Sequence, residues 1–444
     1  MIKHPSKGTV LRNTGWILFD KILRLLGTLL IGILIARNLG PIEFGIFSFA
    51  TAFVAIFAAI AGFGIQQIAI RNLILNPENA GITIKTVFRL LSYLGVLATT
   101  LSIIAAYTLL NDESSEQLFA IYILSIPLLT KGSEAIKFWL EAKIASHKAI
   151  SIEVSIYLVF LAIKFATLTA YPNLKLFVVI TAVETTIAGI ALILLYKNNS
   201  HGYQEFGYSA TVAKKLLKEA LPLAISAFSI MIYMKIDQIM IGEMLSKEDV
   251  GFYVAATRIC ESWYFIPLAF VASAYPRALA SYSSNRKEYN QQLGYIAVLV
   301  IFIGYTAALV GSLLSTPGIT LIYGNQYSQS IRVFDIYIWG GVLVCTSTLT
   351  GKWLTTEGLS HAAATRSVIG LITNVILNFI LIPLYGINGA AIATLISFLI
   401  ANLLSLALTK KTRPLFWMMI KALLLADLFK AISSFKRHTE TSAS

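Results

Sequence analysis

Twelve apolar stretches, beginning near residues 15, 42, 86, 117, 149, 174, 219, 250, 293, 332, 367 and 387, are each long enough to cross a bilayer, which takes about 20 residues of α-helix. In lipid every backbone polar group must be satisfied internally, so only helices or a closed barrel can span. Barrel strands are short and alternate apolar with polar residues, and these runs do not alternate. The expectation is an all-α polytopic membrane protein with about twelve transmembrane helices. Of the 444 residues 57% are hydrophobic and 13% charged, a balance that no soluble globular class shows. The first run follows Lys3, Lys7 and Arg12; at about 22 residues it is too long for a signal-peptide core and lacks a small-residue cleavage site after it. It is retained as a helix.

The formal charge of +13 raises the question of nucleic acid, and the placement of the bases answers it. With the N-terminus inside, segments 1–14, 67–89, 131–148, 197–218, 277–292, 352–366 and 410–444 hold 26 of the 35 Lys and Arg, against Arg37, Lys175, Lys247 and Arg332 outside. This positive-inside asymmetry predicts both termini in the cytoplasm and no nucleic-acid partner. For a bacterial-type cell it places the chain in the inner (plasma) membrane. Cys260 and Cys345 lie inside apolar runs and read as packing residues. The five histidines show no metal-ligand spacing, and the sequon Asn198-Asn199-Ser200 falls on the cytoplasmic side, where it is chance.

Between the first two apolar runs, Gly40, Pro41 and Glu43 occur in the order that stops one helix and starts another. The same design returns 206 residues later. Ile33, Ile35, Leu39, Gly45, Ala50 and Thr51 meet identical residues between Ile239 and Thr257, Glu43 meets Asp249, and Phe47 meets Tyr253. Six helices separate the copies, so both have the same orientation and the repeat is parallel, a plan that recurs in secondary transporters. The predicted organisation is a six-helix lobe over 1–205, a second over 206–413, and an amphipathic cytoplasmic tail over 414–444. The tail reads as an interfacial helix rather than a thirteenth span.

The stretches N-T-G-W-I-L-F-D-K-I-L-R in the first helix, I-A-R-N-L-G-P-I-E-F-G-I-F-S-F-A across the first hairpin, and K-I-D-Q-I-M-I-G followed by V-G-F-Y-V-A-A-T-R-I in the seventh and eighth resemble the polysaccharide flippases. These are the Wzx-type, or O-antigen, translocases of the multidrug/oligosaccharidyl-lipid/polysaccharide exporter superfamily. The resemblance implies a MATE-like, two-lobed bundle that moves a polyprenyl-pyrophosphate-linked oligosaccharide from the cytoplasmic to the outer leaflet. It implies no enzymatic step and no cofactor; polysaccharide polymerase or other assembly proteins are the partners it suggests.

An ionised side chain near the bilayer centre costs about 2.5 to 3.5 kcal/mol on insertion scales and usually faces a cavity or a partner. Five bases, Lys21, Arg24, Lys164, Lys235 and Arg258, fall within spans, with the acids Asp20, Glu184, Asp237 and Glu261. Asp20 and Arg24 are four apart and can pair along one helix face. Arg258 and Glu261 are three apart, with Glu261 and Glu184 near the midplane, where snorkelling is hard. Lys21, Lys164 and Lys235 are close enough to a helix end for snorkelling to be the plainer reading. Pyrophosphate leaving water needs cationic partners, and Arg offers it a planar fork where Lys offers a point charge. Arg24, Lys21 and Arg258, then Lys164 and Lys235, are the substrate-binding candidates that the resemblance selects. Glu184, Glu261, Asp20 and Asp237 are the candidates for coupling to a proton or sodium ion, with Glu184 the better proton site and Glu261 the better ion-pair partner. Lys131, Glu134, Lys137 and Glu141 form a same-face ladder of alternating sign that reads as a solvated helix end.

Two alternatives stay open. A cation-coupled multidrug exporter of the same superfamily would share helix count and repeat but favour an acidic, aromatic cavity. A membrane-embedded glycan polymerase or ligase would show a long external loop, and no external loop here exceeds about 20 residues, the length of a single span.

Overall fold

The computed structural model describes residues 7–110, 114–199 and 207–433. Lys3, Ser200 of the sequon, much of the connection between the predicted lobes, and the tail bases Lys436 and Arg437 lie outside them. Among the described residues the fold is helical throughout, without strands. The chain divides into two compact units that meet in sequence between Gly242 and Glu243.

In the first unit, α1 (Lys7–Gly62) is broken at Gly40, which has φ 85° and ψ 176°. That backbone state is open to glycine and strained for other residues; Pro41 then starts the next rod at a position where its missing N–H is not needed. The predicted hairpin is therefore present. The second crossing continues as α2 (Ile65–Leu75), and α3 (Ala80–Leu109) returns. The fourth crossing has three parts: α4 (Ser115–Ser125), a 3-10 stretch (Ile126–Ser133) and α5 (Glu134–Ala142). Ser114 caps α4 by accepting from the Gln117 N–H. The eight-residue 3-10 stretch is long for this helix type, in which runs beyond 3–4 residues are uncommon. It lies close against α3: a Cβ on Gly95 would sit 2.2 Å from the Leu128 carbonyl oxygen.

Helices α6 (His147–Ala170) and α7 (Leu174–Asn199) complete the six crossings, and α8 (Ala210–Met244) comes next. Ile65, Leu91, Ile136, Trp139, Leu192 and Ala220 share one buried core, which fastens the start of α8 to the first unit. An ion pair between Arg71 and Glu219 and a hydrogen bond from the Ser209 N–H to Thr86 Oγ1 at 3.2 Å reinforce that attachment.

The second unit runs through α9 (Lys247–Ser262), α10 (Phe265–Ala280), α11 (Arg286–Tyr323), α12 (Gln329–Tyr337), α13 (Gly340–Thr356), α14 (Ser360–Tyr385), α15 (Ile387–Asn402) and α16 (Arg413–Leu423). Ser246, 206 residues beyond Gly40, caps α9 by accepting from the Asp249 N–H at 3.1 Å. The repeat reaches further than the sequence match. Helices α3 and α11 also start 206 residues apart, at Ala80 and Arg286; α11 has 38 residues against 30, and the offset then becomes 214 for α4 and α12 and 213 for α7 and α15. The extra length of one helix hides the rest of the duplication from a fixed-offset comparison.

Ten segments among the described residues are long and apolar enough to cross a membrane. One of them, Arg12–Leu75, holds 64 residues and the Gly40 hairpin, so it crosses twice. Helices α9 and α10, at 16 residues each, together make one further crossing, which brings the described chain to the expected twelve. Cys260 and Cys345 are buried thiols.

Candidate functional site

A cavity of about 410 Å³ opens within the first unit, lined by side chains from α1, the 3-10 stretch, α5, α6 and α7. Its charged wall is built one helix at a time. Arg24 Nε donates to Asp20 Oδ1 at 2.7 Å, the i,i+4 pair expected from the sequence. The other arm of the same guanidinium, Nη2, reaches Glu153 Oε2 at 3.5 Å across to α6, and Lys137 Nζ lies 2.6 Å from Glu153 Oε1. Glu153 thus bridges two cations and is nearly buried. Arg24 also stands over the Tyr157 ring, 5.3 Å from its centroid, an arrangement that favours a cation electrostatically.

Tyr157 can come this close because residue 27 has no side chain: a Cβ there would lie 1.9 Å from the Tyr157 hydroxyl. Deeper along the wall, Glu184 of α7 faces the cavity and accepts from Lys164 Nζ at 2.5 Å. Lys164 is only 8% exposed. It does not snorkel: its ammonium is held inward by the carboxylate, the arrangement expected of an ion that can reach no water.

The ladder read as a solvated helix end has a different role. Lys131 and Glu134 pair at 2.8 Å, but both line the cavity with Lys137, while Glu141 turns away to Gln66 at 3.4 Å. The physical reason is the 3-10 stretch, where side chains three apart eclipse one another and so form a row on a single face. Glu153 carries no comparable signal in the sequence, because an acid in the first turns of a helix is an ordinary partner of the helix dipole; only the fold shows its two basic neighbours.

The remaining candidates are distributed more widely. Lys21 is exposed and does not line the cavity. Lys235 is half-buried and Asp237 buried, both on α8. Arg258 and Glu261 belong to the second unit, where Glu261 accepts from the Tyr337 hydroxyl at 2.9 Å and, with Tyr323, forms the electrostatic surroundings of Arg258. Nearby on α12, Asp335 keeps a buried carboxylate oxygen without a hydrogen-bond partner among the described residues. The sequence does not mark it as an in-span acid, because Arg332, one turn earlier, stands at the start of that run. Glu184, expected as the freer acid, holds a lysine, while Glu261 accepts a neutral hydroxyl.

The cavity wall carries Arg24, Lys131 and Lys137 against Asp20, Glu134, Glu153 and Glu184. It is a balanced ionic wall, not a cationic one. Each of its three bases is engaged by an acid, so an incoming anion must displace a carboxylate to reach Arg24.

Comparison with known proteins places this architecture. The chain is similar over 194 residues to the "Probable flippase AglR" of Haloferax volcanii, with 31% identity, covering 42% of this chain and 40% of that relative. Capsular polysaccharide biosynthesis protein CapF of Staphylococcus aureus is 20% identical over 395 residues, 88% of this chain and 97% of CapF. Among solved structures, the lipid II flippase MurJ in an inward closed conformation superposes with a TM-score of 0.72 at 17% identity, covering 95% of each chain. An inward-facing multidrug resistance MATE family transporter of the MOP superfamily does so at 0.71 and 17%, covering 90% of this chain and 95% of its own. At such identities these two show the fold alone, a two-lobed MATE-like bundle. The MatE family model matches residues 222–380, and the model described as polysaccharide biosynthesis protein matches residues 10–279, well over half of the chain. The chain therefore belongs to the polysaccharide biosynthesis protein family.

Proposed function

We propose that the protein is a flippase that carries a polyprenyl-pyrophosphate-linked oligosaccharide from the cytoplasmic to the outer leaflet of the plasma membrane, with both termini in the cytoplasm. The names of its relatives and its family support this reading. The observation that carries it is Arg24, a guanidinium shared between Asp20 and Glu153 on the wall of an intramembrane cavity. Arg matches phosphate with a two-pronged fork that Lys lacks.

Because two carboxylates already engage that fork, substrate and coupling cation compete through it. A proton or sodium ion taken by Asp20 or Glu153 weakens their hold on Arg24 and frees it for pyrophosphate. Departure of the cation returns the carboxylates to Arg24 and expels the anion. This gives cation-coupled alternating access a chemical basis, and it makes and breaks no covalent bond in the substrate. Polysaccharide polymerase or other assembly proteins would take up the product.

The test is flipping of a labelled lipid-linked oligosaccharide in proteoliposomes, with and without an imposed proton or sodium gradient. Arg24→Ala is expected to lower the rate about ten- to a hundredfold, the effect of losing one charged hydrogen bond worth ~1.5–3 kcal/mol, and Arg24→Lys to retain part of it. An unchanged rate in Arg24→Ala at equal protein density would remove Arg24 from the path. The excess of acids in the cavity wall favours a second reading, export of organic cations. Uptake of a fluorescent organic cation by the same liposomes, with no flipping of the oligosaccharide, would establish that reading instead.

A further inference from the structure

The C-terminal tail does more than lie beside the bundle. Helix α16 buries Leu415, Met419 and Ala422, and near its end the Leu423 carbonyl accepts from the Tyr305 hydroxyl at 3.1 Å, well along α11. The chain then reverses through Leu425 and Asp427, both with positive φ, and comes back so that Ala431 is buried beside Arg277 and Gln292. Residues 413–433 thus form a helical hairpin clamped on α11.

Between this hairpin and α11 is a cavity of about 460 Å³, whose lining includes Asn290, Gln291, Tyr295, Trp417, Lys421 and Lys430. Its level in the bilayer is set by α11 itself. That helix has 38 residues, about 57 Å at 1.5 Å per residue, against a hydrocarbon core of about 30 Å. Its first ten residues, RKEYNQQLGY, are polar, and an apolar run starts at Ile296. The cavity spans that change, at the height where headgroups meet acyl chains, and carries the Tyr, Trp and Lys that favour this level.

The hairpin's outward surface matches. Leu424 is 77% exposed, Phe429 86% and Trp417 60%, far more than a surface facing water would tolerate in one patch. Around them stand Lys410, Lys411, Arg413, Lys421 and Lys430, against the single acid Asp427, which pairs with Lys430 at 2.6 Å. Apolar side chains that enter the acyl layer, with lysines at phosphate height, are the combination that selects anionic lipid.

We propose that the cavity between α11 and the 413–433 hairpin seats the phosphate headgroup of an anionic phospholipid from the leaflet on the tail's side, with Lys421 and Lys430 on the phosphate, Asn290 and Gln291 on the rest of the headgroup, and Trp417 against the upper acyl chain. The lipid completes the clamp of the hairpin on α11. The site is independent of the first-unit cavity and of the transported molecule.

The full-length protein in nanodiscs tests this, using phosphatidylglycerol or phosphatidylcholine brominated in the upper acyl chain at the same mole fraction. The signal of Trp417 is the difference between the unmodified protein and Trp417→Phe. Quenching of that signal is expected to be several-fold stronger with the brominated phosphatidylglycerol. Lys421→Gln combined with Lys430→Gln should abolish the preference while leaving quenching by either lipid, and Lys421→Arg with Lys430→Arg should keep it. Equal quenching by the two lipids in the unmodified protein, a preference that survives the double Gln change, or no quenching by either lipid would each overturn the proposal.

Discussion

Replacing Glu184 by Gln removes one charge from an ion pair that water hardly reaches. The Lys164 and Glu184 side chains are 10% and 12% exposed and meet at 2.5 Å, and beyond the carboxylate Lys164 has only the Phe177 ring, 5.7 Å from its ammonium. The desolvation cost of the lysine then persists without its compensation. Breaking a buried pair from one side costs about 3–5 kcal/mol, whereas replacing both partners with apolar residues of similar size is often neutral or stabilising. At roughly 2 °C per kcal/mol, the lower end of the range for chains above 150 residues, Glu184→Gln should unfold about 6–10 °C below the parent, and Lys164→Met with Glu184→Leu should recover most of that loss. Thermal unfolding of the purified protein in one detergent, followed by intrinsic fluorescence, measures all three. A single variant within 2 °C of the parent, or a double variant no better than the single, would refute the reasoning. In the same proteins, the response of flipping to an imposed gradient separates a structural strut from a coupling group: the double variant should be stable and, if Glu184 couples, indifferent to the gradient.

Two further substitutions probe the packing that sets the ionic wall. Gly27→Ala should drive Tyr157 off its place over Arg24 and lower flipping, with part of the activity returned by adding Tyr157→Phe, since the closest clash is with the hydroxyl; transport in proteoliposomes reads both. Gly95→Ala puts a methyl against the backbone at Leu128 and should destabilise by about 1–3 kcal/mol, while Gly15→Ala, with nothing within 4 Å, should be neutral or gain the higher helix propensity of Ala, about 0.8–1 kcal/mol, as seen in thermal unfolding.

The features legible before folding are those that depend on neighbours along the chain. Twelve apolar runs, the Gly40-Pro41 break and the Asp20 to Arg24 spacing are local, and each has its counterpart in three dimensions. Glu153 acquires its meaning from Arg24, 129 residues away, and Lys164 from Glu184 on the next helix. Such pairings depend on how helices rotate against each other, which small residues decide: Gly27, Gly95 and Gly189 mark close approaches, but in the sequence they look like any glycine of a membrane helix. The Lys131 to Glu141 ladder shows a further limit. Its spacing is plain, but the choice between helix types decides which residues share a face, and no residue between 126 and 133 announces the tighter one except Pro127, which removes a backbone donor at its start.

That tighter winding also sets a length. Over the eight residues from Ile126 to Ser133, a 3-10 rise of about 2.0 Å per residue, in place of the α-helical 1.5 Å, makes the fourth crossing about 4 Å longer and leaves α5 turned by about 160° from where an α-helix would have aimed it. Lys137 stands just past that stretch, and its 2.6 Å contact with Glu153 is far shorter than the displacement that rewinding would bring. The ionic wall is therefore gauged by backbone pitch: the distance between a lysine and a carboxylate on another helix is fixed by how many residues make one turn several positions earlier.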